Sequence, residues 1–228
     1  MFNGKKKAIT FSYDDAVTQD IRLIEILNKY GLKATFNLNS GLLGTDNTLI
    51  REGKKVNHNK VKAEDVAKIY SGHEVAVHTL THPHLPHISD DEVIRQVEHD
   101  RLALSELVGY EGVGMAYPGG YMNNNDRVED LIRRHTGVKY ARTISLSYSF
   151  REQDNLFRYK PTAFHLDFYD NYSLANDFFK SDAEGVFYIW GHAYEFDIND
   201  TWAEFEKFCE YISGRDDVFY GTNKEILL

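Results

Sequence analysis

A chain of 228 residues, 42% hydrophobic and 14% aromatic, has material for a substantial core and is sized for one large domain or two small ones. Its net charge of −9 argues against nucleic acid or an anionic membrane as a partner. The single cysteine, Cys209, excludes an internal disulfide framework, and the absence of any run of about 18 apolar residues predicts no membrane span.

The start, Met1-Phe2-Asn3-Gly4-Lys5-Lys6-Lys7, carries a basic patch with no apolar run behind it, so no signal peptide is expected and the location reads as cytoplasmic. Ala8-Ile9-Thr10-Phe11-Ser12-Tyr13 reads as a first strand ending in Asp14-Asp15. Ile21, Ile24 and Leu27 form a stripe that predicts a helix over residues 20–30, stopped at Gly31. Residues 34–38 read as a second strand. Residues 39–60, rich in Asn, Gly and Lys, read as a long loop, a feature often functional. A short helix over 62–70 precedes a third strand marked by Val75 and Val77. That strand runs into a loop carrying His78 and His82 and ended by Pro83.

Ser89-Asp90-Asp91-Glu92 has the form of a capping box and opens a long helix through Val93, Ile94, Val97, Leu104 and Val108. Residues 114–117 read as a fourth strand, broken by Pro118-Gly119-Gly120, and residues 125–136 as a helix. Short strands are expected at 140–143 and 157–164. Residues 165–183 leave helix and strand open. Residues 186–190 form a buried strand. Trp202, Phe205, Phe208, Cys209 and Ile212 are the apolar stripe of a last helix, before a final strand at 218–220. Strands alternating with helices predict parallel β/α units, about seven of them, as a barrel or a doubly wound sheet. Polar residues cluster just after strands, where both folds gather functional groups.

Four clusters carry chemistry. Asp14-Asp15 places two carboxylates at one strand end; a turn or a helix cap accounts for either alone. Beside two histidines, one carboxylate can bind a metal while the other handles a proton. Neutral imidazole is the commonest protein ligand for a transition metal, and His78 and His82 can converge on one divalent cation. One aspartate with two histidines leaves positions open for a water and a substrate oxygen. His73, His84 and His87 read as solvated. Tyr117-Pro118-Gly119-Gly120-Tyr121 is a turn whose glycines let backbone amides approach an oxyanion. Tyr188-Ile189-Trp190-Gly191-His192 puts an imidazole at the rim of a pocket. Tyr13, Tyr117, Tyr121 and Trp190 offer either stacking surfaces for a sugar or core. Cys209 reads as a small buried residue, since no histidine partners it.

From Thr10 to His192 the chain resembles a polysaccharide deacetylase, the NodB-homology group of carbohydrate esterase family four. Thr10-Phe11-Ser12-Tyr13-Asp14-Asp15-Ala16 resembles that family's Thr-Phe-Asp-Asp-Gly motif with a modified lead-in. His78-Thr79-Leu80-Thr81-His82 matches its His-Ser/Thr-x-x-His motif fully, and Trp190-Gly191-His192 resembles its Leu-x-His motif. The resemblance implies one domain over residues 1–228, an α/β distorted (β/α) barrel of about seven parallel strands. It implies Asp14 as general base and His192 as general acid. Asp15, His78 and His82 are implied as ligands of a divalent metal, zinc first, with cobalt, nickel or manganese accepted by the same donors. Thr79 resembles the hydroxyl that steadies the histidine loop. The expected reaction is metal-assisted removal of N-acetyl or O-acetyl groups from a saccharide or another small acylated amine.

Three positions depart from the family's pattern. Ala116 stands where an arginine usually orients the base, leaving Arg142 or Arg158 as replacements. The Asp-x-x-Asp-Trp segment is absent, leaving Asp167 or Asp170 to orient His192. Ala16 stands where glycine is usual. Two alternatives follow: a hydrolase of another amide or ester, or a relative that binds carbohydrate or metal without catalysis. A phosphate-binding reading of Pro118-Gly119-Gly120 lacks the following lysine and Ser/Thr.

Overall fold

The computed structural model describes residues 1–51, 53–167 and 172–228. The elements run β1 (Lys7–Asp14), α1 (Asp20–Lys29), β2 (Ala34–Leu38), β3 (Thr48–Arg51), β4 (Lys54–Asn57), α2 (Val66–Ile69) and β5 (Glu74–Val77). They continue with α3 (Asp90–Val108), β6 (Gly114–Ala116), α4 (Asp126–His135), β7 (Tyr140–Arg142), β8 (Ala163–Phe164) and α5 (Ser173–Lys180). β9 (Gly185–Gly191), α6 (Tyr194–Asn199), α7 (Trp202–Ile212), β10 (Val218–Tyr220) and α8 (Asn223–Leu227) complete the chain.

Seven parallel strands follow the order β7-β6-β5-β2-β1-β9-β8, and β10 joins beside β1. β1 is the hub. One edge pairs with β9 along its length; the other pairs with β10 at Lys7–Ile9 and with β2 at Phe11–Asp14. The sheet curls into a distorted barrel. A parallel bridge between Arg142 and Tyr159 links β7 to the segment that continues into β8, bringing the two ends of the order together. Among the described residues, no helix is long and apolar enough to cross a membrane.

The alternation in Thr10-Phe11-Ser12-Tyr13-Asp14 decides what each face of β1 does. Phe11 and Tyr13 point to the helices, both stacking edge-on against Phe205 of α7. Thr10, Ser12 and Asp14 point into the barrel, whose interior is polar and buried. Toward the strands' amino ends, Glu74 accepts from Thr35 Oγ1 and Tyr140 OH, each at 2.8 Å. Asn223, at the start of α8, bonds Thr10 and Tyr188 there. Further up, Arg142 Nε donates to Ser12 Oγ at 3.0 Å. Each polar group lowered into this interior needs a partner, because an unpaired one costs about 1–3 kcal/mol. A network of side-chain bonds supplies most of them, although Asn37 Oδ1 is buried with no partner among the described residues.

Several local expectations are corrected. Ile21 is exposed; the buried face of α1 is Leu23, Ile24, Ile26 and Leu27. Residues 39–60 are not a plain loop: they hold a 3-10 turn at Ser40–Leu42 and the antiparallel hairpin β3–β4. Ser89 caps α3 by accepting from Glu92 N, but the Glu92 carboxylate turns to Arg95 and Gln96 rather than back to the cap. Residues 157–164 are a 3-10 turn, Leu156–Arg158, and a two-residue strand rather than one strand. Of the ambiguous stretch 165–183, residues 168–171 lie outside the described residues, and Ser173–Lys180 form α5. The helices α6 and α8 escaped notice because both are short, and α7 is not the last helix.

Candidate active site

The carboxyl ends of the strands meet around a cavity of about 580 Å³. Asp14 closes β1 and sits opposite Asn37 of β2 in the parallel register. Asn37 Nδ2 donates to Asp14 Oδ1 at 2.8 Å. Arg142, closing β7, is fully buried and places Nη2 at 2.5 Å from both Asp14 oxygens. Its guanidinium lies 4.6 Å from the centre of the Trp190 ring and donates to Thr143 O. Burial pushes the Asp14 carboxyl up; Arg142, then His78 and His192, more than reverse this and hold it below the usual carboxylate range.

After Asp14 the chain turns through left-handed conformations at Asp15 (φ 86°) and Ala16 (φ 54°). Residues with a Cβ avoid that region, and such strain concentrates at functional sites. The turn swings Asp15 toward the loop that follows β5. That loop is bent the same way at Thr79 (φ 70°) and His82 (φ 59°). Gln96 of α3 bonds it at Leu80 and Thr81, and three further groups hold its histidine end. Asn39 Nδ2 donates to His78 O at 2.6 Å and Thr79 O at 2.9 Å. Asp100 of α3 accepts from His78 N, and Thr79 Oγ1 accepts from His82 N at 3.1 Å.

Asp15 Oδ1 then lies 3.8 Å from both His78 Nε2 and His82 Nε2. Ligand atoms of all three residues fall within 4.8 Å of one another. Donors about 2.0–2.2 Å from one tetrahedral ion lie roughly 3.3–3.6 Å apart, so the carboxylate is within a few tenths of an ångström of that spacing from each imidazole. The donor chemistry fits a divalent cation as well. His78 Nδ1 donates to Ala116 O at 2.9 Å, which leaves Nε2 as the free lone pair facing Asp15. Burial depresses the His78 imidazole to about 4, so it is neutral at physiological pH.

His192 follows β9, with Nε2 4.0 Å from Asp14 Oδ2. Neither Asp167 nor Arg158 reaches the site. Asp167 accepts from its own Phe164 N, and Arg158 pairs with Asp126 and Glu129. Asp170 lies outside the described residues. The carboxylate beside His192 is instead Glu195, three residues on. Its Oε2 accepts from His192 N at 3.0 Å and lies 3.2 Å from His192 Nδ1, an ion pair short of hydrogen-bond alignment. His165 Nε2 meets the same oxygen at 2.9 Å. Burial alone lowers the His192 imidazole, but Glu195, with Asp15 and Asp14, raises it to about 9. Gly191 is required here: a Cβ on it would lie 2.5 Å from the His165 ring.

Gly119, Gly120, Tyr117 and Trp190 line the cavity, while Tyr121 is 91% exposed and stands apart. Tyr117 OH is already used, donating to Phe157 O at 2.9 Å. Trp190 Nε1 is buried with no hydrogen-bond partner among the described residues. Tyr13 is core rather than a sugar platform. His73 is not solvated: it is buried and accepts from Ala34 N at 3.1 Å. His84 is half-buried and His87 exposed, with rings 4.2 Å apart. Cys209 is buried and its thiol is pushed up by burial, which removes it as a nucleophile.

Sequence reasoning missed Glu195, His58, Lys60, Asn37 and Asp100. A helix recognised at 194–199 would have exposed the three-residue spacing of His192 and Glu195. The others carry no local signal.

The polysaccharide deacetylase family model matches residues 3–141. No curated protein matches the chain. Similar solved structures include the polysaccharide deacetylase BC0361 from Bacillus cereus, at 17% identity over 65% of this chain and 44% of that one, with TM-score 0.53. The Xyl-CE4 domain of a multidomain xylanase from the hindgut metagenome of Trinervitermes trinervoides is 16% identical over 98% of this chain and 90% of that one, with TM-score 0.58. BA3943, a CE4 family pseudoenzyme from Bacillus anthracis, is 20% identical over 99% and 66%, with TM-score 0.58. These similarities carry the shared fold. The chain spans less than half the length of the Bacillus cereus protein.

Proposed function

The chain belongs to the polysaccharide deacetylase family, and on that footing we propose that it is a metal-dependent deacetylase hydrolysing the amide, or ester, of an acylated saccharide or small acylated amine. The observation that carries this is the convergence of Asp15, His78 and His82 beside Asp14 and His192 in one cavity. We take residues 1–228 as one domain, since β10 and α8 pack back on β1, where the chain begins.

Asp15, His78 and His82 would hold the cation. Zinc suits one carboxylate and two imidazoles, and cobalt, nickel or manganese share those donors. A bound divalent ion supplies Lewis acidity to a water and to the acyl carbonyl. Asp14 takes the proton of the attacking water, and Arg142 keeps that carboxylate ionised and aimed. Backbone amides at Gly119–Gly120 donate to the developing oxyanion. His192 gives its Nε2 proton to the leaving nitrogen, so that an amine and a carboxylic acid separate. Trp190 and Tyr194 wall the cavity beside it.

Arg142 stands beside Asp14, so the missing arginine before Pro118 no longer argues for a relative that binds without catalysis. The pair of readings is separated by measuring bound metal and acyl release together. About one equivalent of zinc, with acetate released from an N-acetylated saccharide panel and both lost in His78→Ala, is expected. Zinc bound by the wild type without release of any acyl group would favour the binding protein.

The alkaline limb of the pH–rate profile offers a second check. His192 acts while protonated, so activity falls as pH rises through its pKa, and Glu195 is the largest influence raising that pKa. Glu195→Gln is expected to move the alkaline limb to lower pH. An unmoved limb would remove Glu195 from the acid's environment.

A further inference from the structure

The hairpin β3–β4 and the strap that follows it reach the candidate metal centre from a part of the chain that no family motif covers. His58 and Lys60 are both buried and both line the cavity. His58 Nε2 lies 3.1 Å from Asp15 Oδ2, the oxygen turned away from His78 and His82. A carboxylate only accepts, so that nitrogen carries a proton and donates. His58 Nδ1 is left to accept from Asn47 Nδ2, at 3.4 Å, which holds the tautomer. Lys60 Nζ stands 3.8 Å from Asp15 Oδ1, the metal-facing oxygen, and 3.4 Å from His58 Nε2. Its side chain is 4% exposed.

The strap is anchored on the same turn that presents Asp15. Val61 N donates to Ala16 O, and Thr18 N donates to Asn59 O, each at 2.9 Å. Its outer side is tied equally: Lys60 N donates to Thr45 O and His58 N to Asn47 O. The cavity wall and the ligand's second oxygen are therefore one rigid piece. His58 stands outside the cluster of converging donor atoms, which among the described residues comprises Asp15, His78 and His82.

We propose that His58 and Lys60 are positioning residues for the metal centre: His58 fixes Asp15 with Oδ1 toward the ion, and Lys60 balances the carboxylate's charge so that the site is formed before metal arrives. This rests on the metal reading of Asp15, His78 and His82. The two residues act in opposite directions. His58 supports binding by orientation. Lys60 places a positive charge next to the ligand oxygen and so weakens the hold on a cation.

Zinc affinity measured by chelator competition, with the zinc-induced rise in Tm as a second readout, tests this on the full chain. His58→Ala is expected to weaken zinc about 10–100-fold, the usual effect of losing an outer hydrogen bond to a ligand, and to shrink the zinc-induced Tm rise. His58→Gln, whose amide can still donate to Oδ2, should recover most of that loss. Lys60→Met should bind zinc more tightly, by about tenfold, because a like charge near the ion is gone. A purely structural role would lower the Tm of the metal-free protein in each variant and leave zinc affinity unchanged. Wild-type affinity in His58→Ala, or weaker binding in Lys60→Met, overturns the proposal. His78→Ala is the reference. Binding lost there but intact in His58→Ala overturns the positioning role alone; binding intact in both, or absent from the wild type, overturns the metal centre itself.

Discussion

Asp14→Asn is expected to lower the rate of acyl release by about 10²–10⁴-fold, the usual contribution of a general base, while zinc stays bound. The substitution keeps the shape of the side chain, and the amide oxygen still accepts from Arg142. What it removes is the capacity to take a proton from water. Asp14 is outside the cluster of Asp15, His78 and His82, so metal content should hold near the wild-type level. Turnover at the wild-type rate with metal bound would move the base elsewhere. The informative measurement is kcat from acetate release, with metal content determined on the same sample.

Arg142→Met is expected to produce the largest loss of stability. It leaves Asp14, 2% exposed, as a buried carboxylate whose remaining hydrogen-bond donor among the described residues is Asn37. Breaking a buried pair from one side costs about 3–5 kcal/mol. For a chain of this size, that is a fall in Tm of roughly 6–20 °C. The sign of its pH dependence follows from linkage. In the wild type the folded pKa of Asp14 lies below its unfolded value. Asp14 therefore contributes stability that is present above the unfolded pKa and lost as pH falls through the folded one. Without Arg142 the largest remaining influence is burial, which raises the pKa, and the contribution reverses. Arg142→Met should be least destabilised in acid and most destabilised near neutrality. Denaturant unfolding at both pH values measures this, and Arg142→Met with Asp14→Leu should regain much of the loss. A single variant as stable as the wild type at neutral pH would rule out the pair as a structural element.

The barrel was legible because its strands obey simple patterns. Val75 and Val77, the apolar 186–190 run and the alternation Thr10-Phe11-Ser12-Tyr13 each mark a strand buried in a parallel sheet. The stripe of α7 was legible for the same reason, at helical spacing. The hairpin β3–β4 was not, since its strands are four residues long and mostly exposed, and no burial pattern marks them. Ile21 misled because an apolar residue on a surface helix need not face the core.

At the site, what local sequence determined was composition at each strand end. Asp14-Asp15, His78 with His82, and His192 were each identifiable because a strand end presents the side chains that directly follow it. Which of these groups meets which was decided by strand order and register. Arg142 reaches Asp14 across 128 residues because β7, at one end of the sheet order, curls back toward β1. Arg158 was as good a candidate by spacing, and it faces outward to Asp126 and Glu129. Glu195 displaced Asp167 as the partner of His192 through a single turn of α6. His58 and Lys60 lie beside Asp15 because the strap bonds the turn at Ala16 and Thr18. Charge pairing in a barrel interior is a long-range property: the strands that supply the charges are adjacent in space and distant in the chain. Periodicity records which residues are buried, and only closure of the sheet decides which buried charges compensate one another.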